Sequence, residues 1–345
     1  MMNKKKMILN GIFLAVVLGL TLYGVFHGQD LGALASYMRQ ADLRYWCIGI
    51  FCVVLFIGSE SVIIHYMMRN LGQKLKLTRC FLYSFVGFFF SCITPSATGG
   101  QPAQIYYMRK DKVRIPTATL VLMIVTIAYK MVLVLLGIGV LLVRPVKIMQ
   151  YLNPVLGWMY LGIGLNVVCV GAMLLLVLHP SFARRLVELG VGMLGRMHIV
   201  KNPRHWMERT ERAMNQYHDV ASYFKENKRV VVHVFLITAL QRFFLFFVTY
   251  LTCRSFRIDG ADGETIVLLQ GMISVAVDML PLPGGMGISE SLFIKIFKPI
   301  CQAATLPAMI VSRGLAYYTQ LILSAIMTVV AHLVITKGER EDEML

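Results

Sequence analysis

Two short stretches interrupt apolar sequence that would otherwise run on as helix: TPSATGGQPAQ at Thr94 to Gln104, and PLPGGMG at Pro281 to Gly287. Seven ionisable residues, Glu60, His65, Lys130, Arg242, Asp278, Glu290 and Arg313, lie within the same apolar runs. A charge at mid-bilayer costs ~2.5 to 3.5 kcal/mol on insertion scales, and non-helical backbone is tolerated at that depth only where protein or a water-filled cavity surrounds it. The chemistry these residues offer is recognition of an anion. In each break a helix restarts directly after the glycines, near Gln101 and Ile288, and such a start presents free N–H groups and a partial positive charge suited to phosphate. Thr94, Ser96, Thr98, Gln101 and Gln104 add neutral hydrogen-bond partners around Gly99 and Gly100, and Gly284 and Gly285 form the second break. Lys130 and Arg313 place one cation beside each break, either as phosphate contacts or as partners of Glu60, Asp278 or Glu290. Asp278 or Glu290 could meet a cationic group. For the break residues the alternative is structural, with glycines for close helix packing and hydroxyls bonded back into their own helix. For His65 and Arg242 a structural place, near an interface or in an ion pair, is the expectation.

The elements that must position these residues are helices in a membrane. The chain has 345 residues, of which 57% are hydrophobic, and its mean hydropathy is +0.67. Six runs, at about 8 to 26, 45 to 68, 117 to 143, 155 to 178, 230 to 252 and 306 to 335, approach the ~20 residues a spanning helix needs. The net charge of +16 sits in short basic segments beside those runs, as orientation signals and contacts with anionic lipid at the cytoplasmic face do, so nucleic acid is not the expected partner. The lysine-rich start resembles a signal peptide but lacks a small-residue cleavage site before His27, and is expected to stay as the first span. The seven cysteines form no CxxC pair and read as small reduced hydrophobes. No disulfide framework, metal site or cofactor is expected. GVGMLG at Gly190 to Gly195 matches GxGxxG only literally, since no strand precedes it, and no catalytic motif is present.

Counting charge from a cytoplasmic N-terminus puts Arg69 to Arg79, Arg109 to Arg114 and 181–229 inside, and RSFRIDGADGE at Arg254 to Glu264 outside. Cys80 to Met108 then starts and ends on one face, as a re-entrant hairpin broken at TPSATGG. A second hairpin, Thr265 to Leu280 and Ile288 to Phe297 around PLPGGMG, opens from the opposite face, and the last span returns the C-terminus inside. The expected fold is an all-α polytopic membrane protein, one domain over residues 1–345, with an inverted repeat of about 45–143 and 230–335. Such repeats place substrate sites at their interface near the midplane. Between them, 181–229 carries an amphipathic helix opened by Asn202 and Pro203, with Trp206, Met207, Met214, Tyr217, Ala221 and Phe224 at helical spacing.

PSATGGQPAQIYYM followed far downstream by LPLPGGMGISES resembles the membrane region of the lysylphosphatidylglycerol synthase family, a flippase-like family, over nearly the whole chain. Full-length multiple-peptide-resistance-factor proteins of that family join such a region to a transferase that moves lysine from charged tRNA onto phosphatidylglycerol. The sequence ends at Leu345 without one, so the resemblance implies translocation of a phosphate-headed lipid or glycolipid across a bacterial plasma membrane, with a homo-oligomer compatible. The competing expectations are a phosphatidylglycerol lysyltransferase, or a subunit of one, and a small-solute or ion transporter.

Overall fold

The computed structural model describes residues 38–179, 181–185 and 203–343, with residues 36, 187 and 189. The expected first span at about 8 to 26, the cap at Asn202 and the glycine pattern at Gly190 to Gly195 lie outside the described residues. Twelve helices organise the rest of the account: α1 Leu43–Asn70, α2 Leu77–Ile93, α3 Gly100–Lys110, α4 Ile115–Val143, α5 Val146–Leu152, α6 Leu156–Leu178, α7 Pro203–Glu226, α8 Lys228–Ser255, α9 Gly263–Val277, α10 Ile288–Cys301, α11 Thr305–Arg313 and α12 Thr319–Glu343. Five helical stretches among the described residues are long and apolar enough to cross a membrane: Leu43–Asn70, Ile115–Val143, Val146–Leu178, Lys228–Ser255 and Pro283–Ile335. The protein is a multi-pass helical membrane protein.

The helices that enter the two breaks, α2 and α9, are apolar but too short to span. The 17 residues of α2 and the 15 of α9 reach only about 25 and 22 Å at 1.5 Å per residue, against a hydrocarbon core of ~30 Å. Each turns back, α2 onto α3 and α9 onto α10, across a break that begins at a proline. Asp42 caps α1 by accepting from the Arg44 N–H at 3.0 Å. Asp262 caps α9 by accepting from the Thr265 N–H at 3.1 Å. Hydrogen bonds from the hydroxyl and backbone N–H of Thr265 hold this exposed carboxyl below the usual carboxylate range.

Packing interleaves the two halves of the chain. α1 lies along α8, α2 packs on α12, and α9 packs on α4 and α6. Lipid tails are as apolar as the helices, so close backbone approach stands in for a hydrophobic drive. Gly162 of α6 shows this, since a Cβ there would lie 2.4 Å from the Val275 carbonyl of α9. α7 buries Met214, Tyr217, Ala221 and Phe224 in the cluster formed with the ends of α1 and α4, and the Tyr217 hydroxyl donates to the Leu176 carbonyl at 3.1 Å. The side chains of Trp206 and Met207, expected on the same face, lie outside the described residues. The final run, expected as one span over 306 to 335, is divided by a π-helical segment at Gly314–Tyr318 directly after Arg313, the sort of widened turn that concentrates at functional sites.

Candidate functional site

The two breaks meet each other. The Ser96 hydroxyl donates to the Leu280 carbonyl at 3.1 Å, and the Tyr317 hydroxyl donates to the Cys92 carbonyl at the end of α2 at 2.9 Å. Aligning the prolines, Pro95 with Pro283, sets Ser96 and Ala97 opposite Gly284 and Gly285. All four adopt left-handed backbone, with φ of 49° and 55° in the first break and 57° and 65° in the second. Gly99 and Gly100, which the sequence suggested as counterparts of Gly284 and Gly285, are therefore out of register. They serve packing instead: a Cβ on Gly100 would lie 2.1 Å from the Ser91 hydroxyl, and one on Gly99 2.6 Å from the Thr94 methyl.

Beside the breaks is a cavity of about 500 Å³. Its walls come from both hairpins and from α1, α4, α6, α8, the π segment and α12. Glu60, Lys130 and Arg242 reach it from near the midpoints of α1, α4 and α8, which puts it near the middle of the apolar spans. Of the residues singled out from sequence, Ser96, Thr98, Gln101, Gln104, Lys130, Asp278, Gly284, Gly285 and Arg313 line it, whereas Thr94, Gly99, Gly100 and Glu290 stand behind the lining. His65 is also outside the lining, its Nδ1 buried without a hydrogen-bond partner.

The charges sort into two closed pairs and one open one. Lys130 Nζ lies 2.6 Å from Asp278 Oδ2, both side chains about nine-tenths buried. Arg313 Nε lies 2.8 Å from Glu290 Oε1 and its Nη2 donates to the Gly284 carbonyl at 3.0 Å. Between phosphate contact and ion pairing, then, Lys130 and Arg313 are ion-paired. The start of α10 is likewise occupied, because the Gly287 N–H donates to Glu290 Oε2 at 2.6 Å. At the first break Thr94 plays that part, accepting from the Gly99 N–H at 2.9 Å. Glu290 is thus committed to a helix start and an arginine, and is not open to a ligand amine.

Arg242 is different. Its Nε is buried with no hydrogen-bond partner, and it joins none of the ion pairs among the described residues. Its guanidinium carbon sits 3.6 Å from the Tyr129 ring centroid and 5.0 Å from that of Phe56, a stacking that leaves donors for an anion. Glu60, the carboxylate electrostatically coupled to it, accepts instead from Gln104 Nε2 at 2.7 Å. Gln101 donates to the Thr126 hydroxyl, so the first hairpin is held by neutral amides. Sequence reasoning left Arg242 as an expected pair member and passed over Gln270 and Gln320, which face the same cavity. The signal available for Arg242 was adjacency: Gln241 and Arg242 form the only polar pair in the middle of the run ITALQRFFLFFV.

The protein is thus a polytopic helical membrane protein with a polar, charged cavity between its broken helices. The family model for the lysylphosphatidylglycerol synthase TM region matches residues 7–324. The chain belongs to that family, and its function is accordingly lipid-related. No curated protein matches it.

Proposed function

We propose that the protein moves phosphate-headed lipids between leaflets, admitting the headgroup to the cavity between the two broken hairpins while the acyl chains stay in the bilayer. In this reading units 45–143 and 230–335 form an inverted repeat with hairpins open to opposite faces, and both termini are cytoplasmic. The observation that carries it is Arg242. Its guanidinium has Glu60 as a Coulombic neighbour but no ion-pair contact among the described residues, and an anion entering the cavity would supply one. Lys130 and Arg313, closed into pairs, hold the walls in place rather than the ligand. The family's description names a synthase, which supports lipid aminoacylation as a second reading.

The test is fluorescent phosphatidylglycerol translocation in proteoliposomes, followed by quenching from outside. Arg242→Gln should abolish it, and Glu60→Gln added to it, which removes the carboxylate that would lose its Coulombic neighbour, should restore folding without restoring translocation. Undiminished flipping by Arg242→Gln would remove this residue from the site. Aminoacyl lipid formed by the purified protein from charged tRNA and phosphatidylglycerol would favour the second reading.

A further inference from the structure

We propose that the protein carries one proton with each anionic headgroup, the proton riding on Glu60, so that translocation is electroneutral and driven by a pH difference across the membrane. This coupling rests on the lipid-translocation reading and supplies its source of energy. It follows from how charge is balanced in the cavity.

The ionised side chains in and behind the lining cancel in pairs, Lys130 against Asp278, Arg313 against Glu290 and Arg242 against Glu60. A phosphate diester arriving at Arg242 adds one negative charge that nothing already present offsets. Uncompensated charge in a site away from water is costly, and a carboxylate beside an added anion relieves the cost by taking up a proton.

The contacts decide which carboxylate does so. Protonating Asp278 would strand Lys130 Nζ, 2.6 Å away, with both side chains about nine-tenths buried. Protonating Glu290 would weaken its bonds to Arg313 and to the Gly287 N–H together, and it stands behind the lining. Glu60 lines the cavity, makes no ion-pair contact among the described residues, and accepts on Oε1 from Gln104 at 2.7 Å. Its Coulombic neighbour is Arg242, the group that an incoming phosphate would occupy. Phosphate and carboxylate thus compete for one guanidinium, and the carboxylate that loses it is neutralised.

The step balances simply. A proton from water on the side to which the cavity is open forms an O–H bond on Glu60 as the phosphate meets Arg242. That bond breaks on the far side when the headgroup leaves.

The groups that line the cavity with Glu60 from the elements packed on α1 are Arg242 of α8, Tyr129 and Lys130 of α4, Cys92 of α2 and Tyr317 of the π segment, with the neutral Gln320 from α12. Lys130 is committed to Asp278, Tyr317 to the Cys92 carbonyl, and the Tyr129 ring lies against Arg242. Arg242 is therefore the charge that the Glu60 proton answers to. A metal cation in the proton's place would need several oxygen ligands. No group of three or more His, Cys, Asp or Glu is placed to hold one among the described residues, and Glu60 Oε1 already faces an N–H donor.

The experiment titrates dioctanoyl phosphatidylglycerol into the full-length protein in nanodiscs, using calorimetry in buffers of different ionisation enthalpy to count protons taken up. The phosphodiester keeps its single charge from about pH 6 to about pH 9, so any pH dependence belongs to the protein. Because the complex holds a proton that the free protein lacks, binding should tighten as pH falls. About one proton should enter per lipid, with affinity falling about tenfold per pH unit where Glu60 is ionised in the free protein. Glu60→Gln should take up no proton and bind with an affinity flat in pH. In proteoliposomes, fluorescent phosphatidylglycerol should collect in the leaflet facing the alkaline side, and a potassium diffusion potential without a pH difference should move none. Lipid binding with no proton uptake by the unmodified chain, uptake retained by Glu60→Gln, or accumulation driven by potential or by a sodium gradient alone would overturn the coupling and leave lipid translocation standing. No binding of phosphatidylglycerol at any pH would overturn both. Should Glu60→Gln fail to fold, the proton count and the response of the unmodified chain to a pH difference still decide.

Discussion

The two broken hairpins make the same turn by different means. Each starts at a proline and passes through two left-handed residues, but the second uses Gly284 and Gly285 where the first uses Ser96 and Ala97. The bracing differs in the same sense. The second break is locked by charge, with Arg313 bonded to Glu290 and to the Gly284 carbonyl, and Glu290 closing the start of α10. The first has no ion pair of its own and is held by Gln101 on Thr126, Gln104 on the Glu60 carboxylate and Thr94 on the Gly99 N–H. Like backbone geometry therefore does not imply like mechanics. The second break has an ion pair closing its own helix start, where the first has a single charge-assisted bond, Gln104 on Glu60.

The largest effect expected from this contrast lies in the second hairpin. Arg313→Gln strands Glu290 among buried neighbours and should destabilise the protein by about 3 to 5 kcal/mol unless the carboxyl takes up a proton. Glu290→Gln added to it should restore most of the melting temperature in a thermal scan. A single variant that melts like the parent would show that the second break is not locked by charge.

A smaller pair of effects separates the two turns by sign. Gly284→Ala puts a Cβ 2.1 Å from Tyr317 Cε2 at a φ of +57°, and should cost about 1 to 3 kcal/mol. Ala97→Gly relieves a left-handed alanine, worth roughly 1 to 2 kcal/mol, against the ~0.5 to 1 kcal/mol that glycine loses in chain entropy. It should be neutral or stabilising by up to about 1.5 kcal/mol. Equal destabilisation by both changes would break the proposed alignment of the breaks.

The smallest effect concerns how α9 enters the second hairpin. Hydrogen bonds from Thr265 depress the Asp262 carboxyl, so the cap contributes above the unfolded aspartate value of ~3.9 and is lost as pH falls through the folded value below it. Asp262→Ala should therefore lower the melting temperature slightly at pH 7 and not at all at the acid end of that window. A deficit that persists unchanged in acid would show that the carboxylate is not what caps α9.

Much of this was legible in the sequence because lipid imposes so few solutions. Long apolar runs must be helices, and Pro95, Pro283 and the paired glycines must interrupt them, so the elements follow from composition and spacing. Register was not legible. Gly99 and Gly100 resemble Gly284 and Gly285 as letters, yet serine and alanine hold the equivalent backbone, since tertiary contacts can stabilise a left-handed residue of any type. Nor was the pairing of charges. Lys130 and Asp278 are 148 residues apart, and nothing in their spacing distinguishes a ligand contact from a partner. Arg242 stood open for the same reason: an unpaired residue is defined by what fails to reach it. The π segment after Arg313 left no mark in the hydropathy of 306–335.

Tyr317 has a mechanical consequence beyond its contacts. Its hydroxyl closes the last turn of the first hairpin's entering helix, and its ring lies where a side chain on Gly284 would have to be. One rigid plane thus bears on both hairpins at once, standing on a π turn whose extra residue gives it a rotation that an ordinary helix lacks. Neither hairpin can withdraw from the cavity without tilting that plane into the other or abandoning a carbonyl in a medium with no water to replace it. Tyr317 is thus a brace shared by the two breaks, and truncating it would loosen both at once.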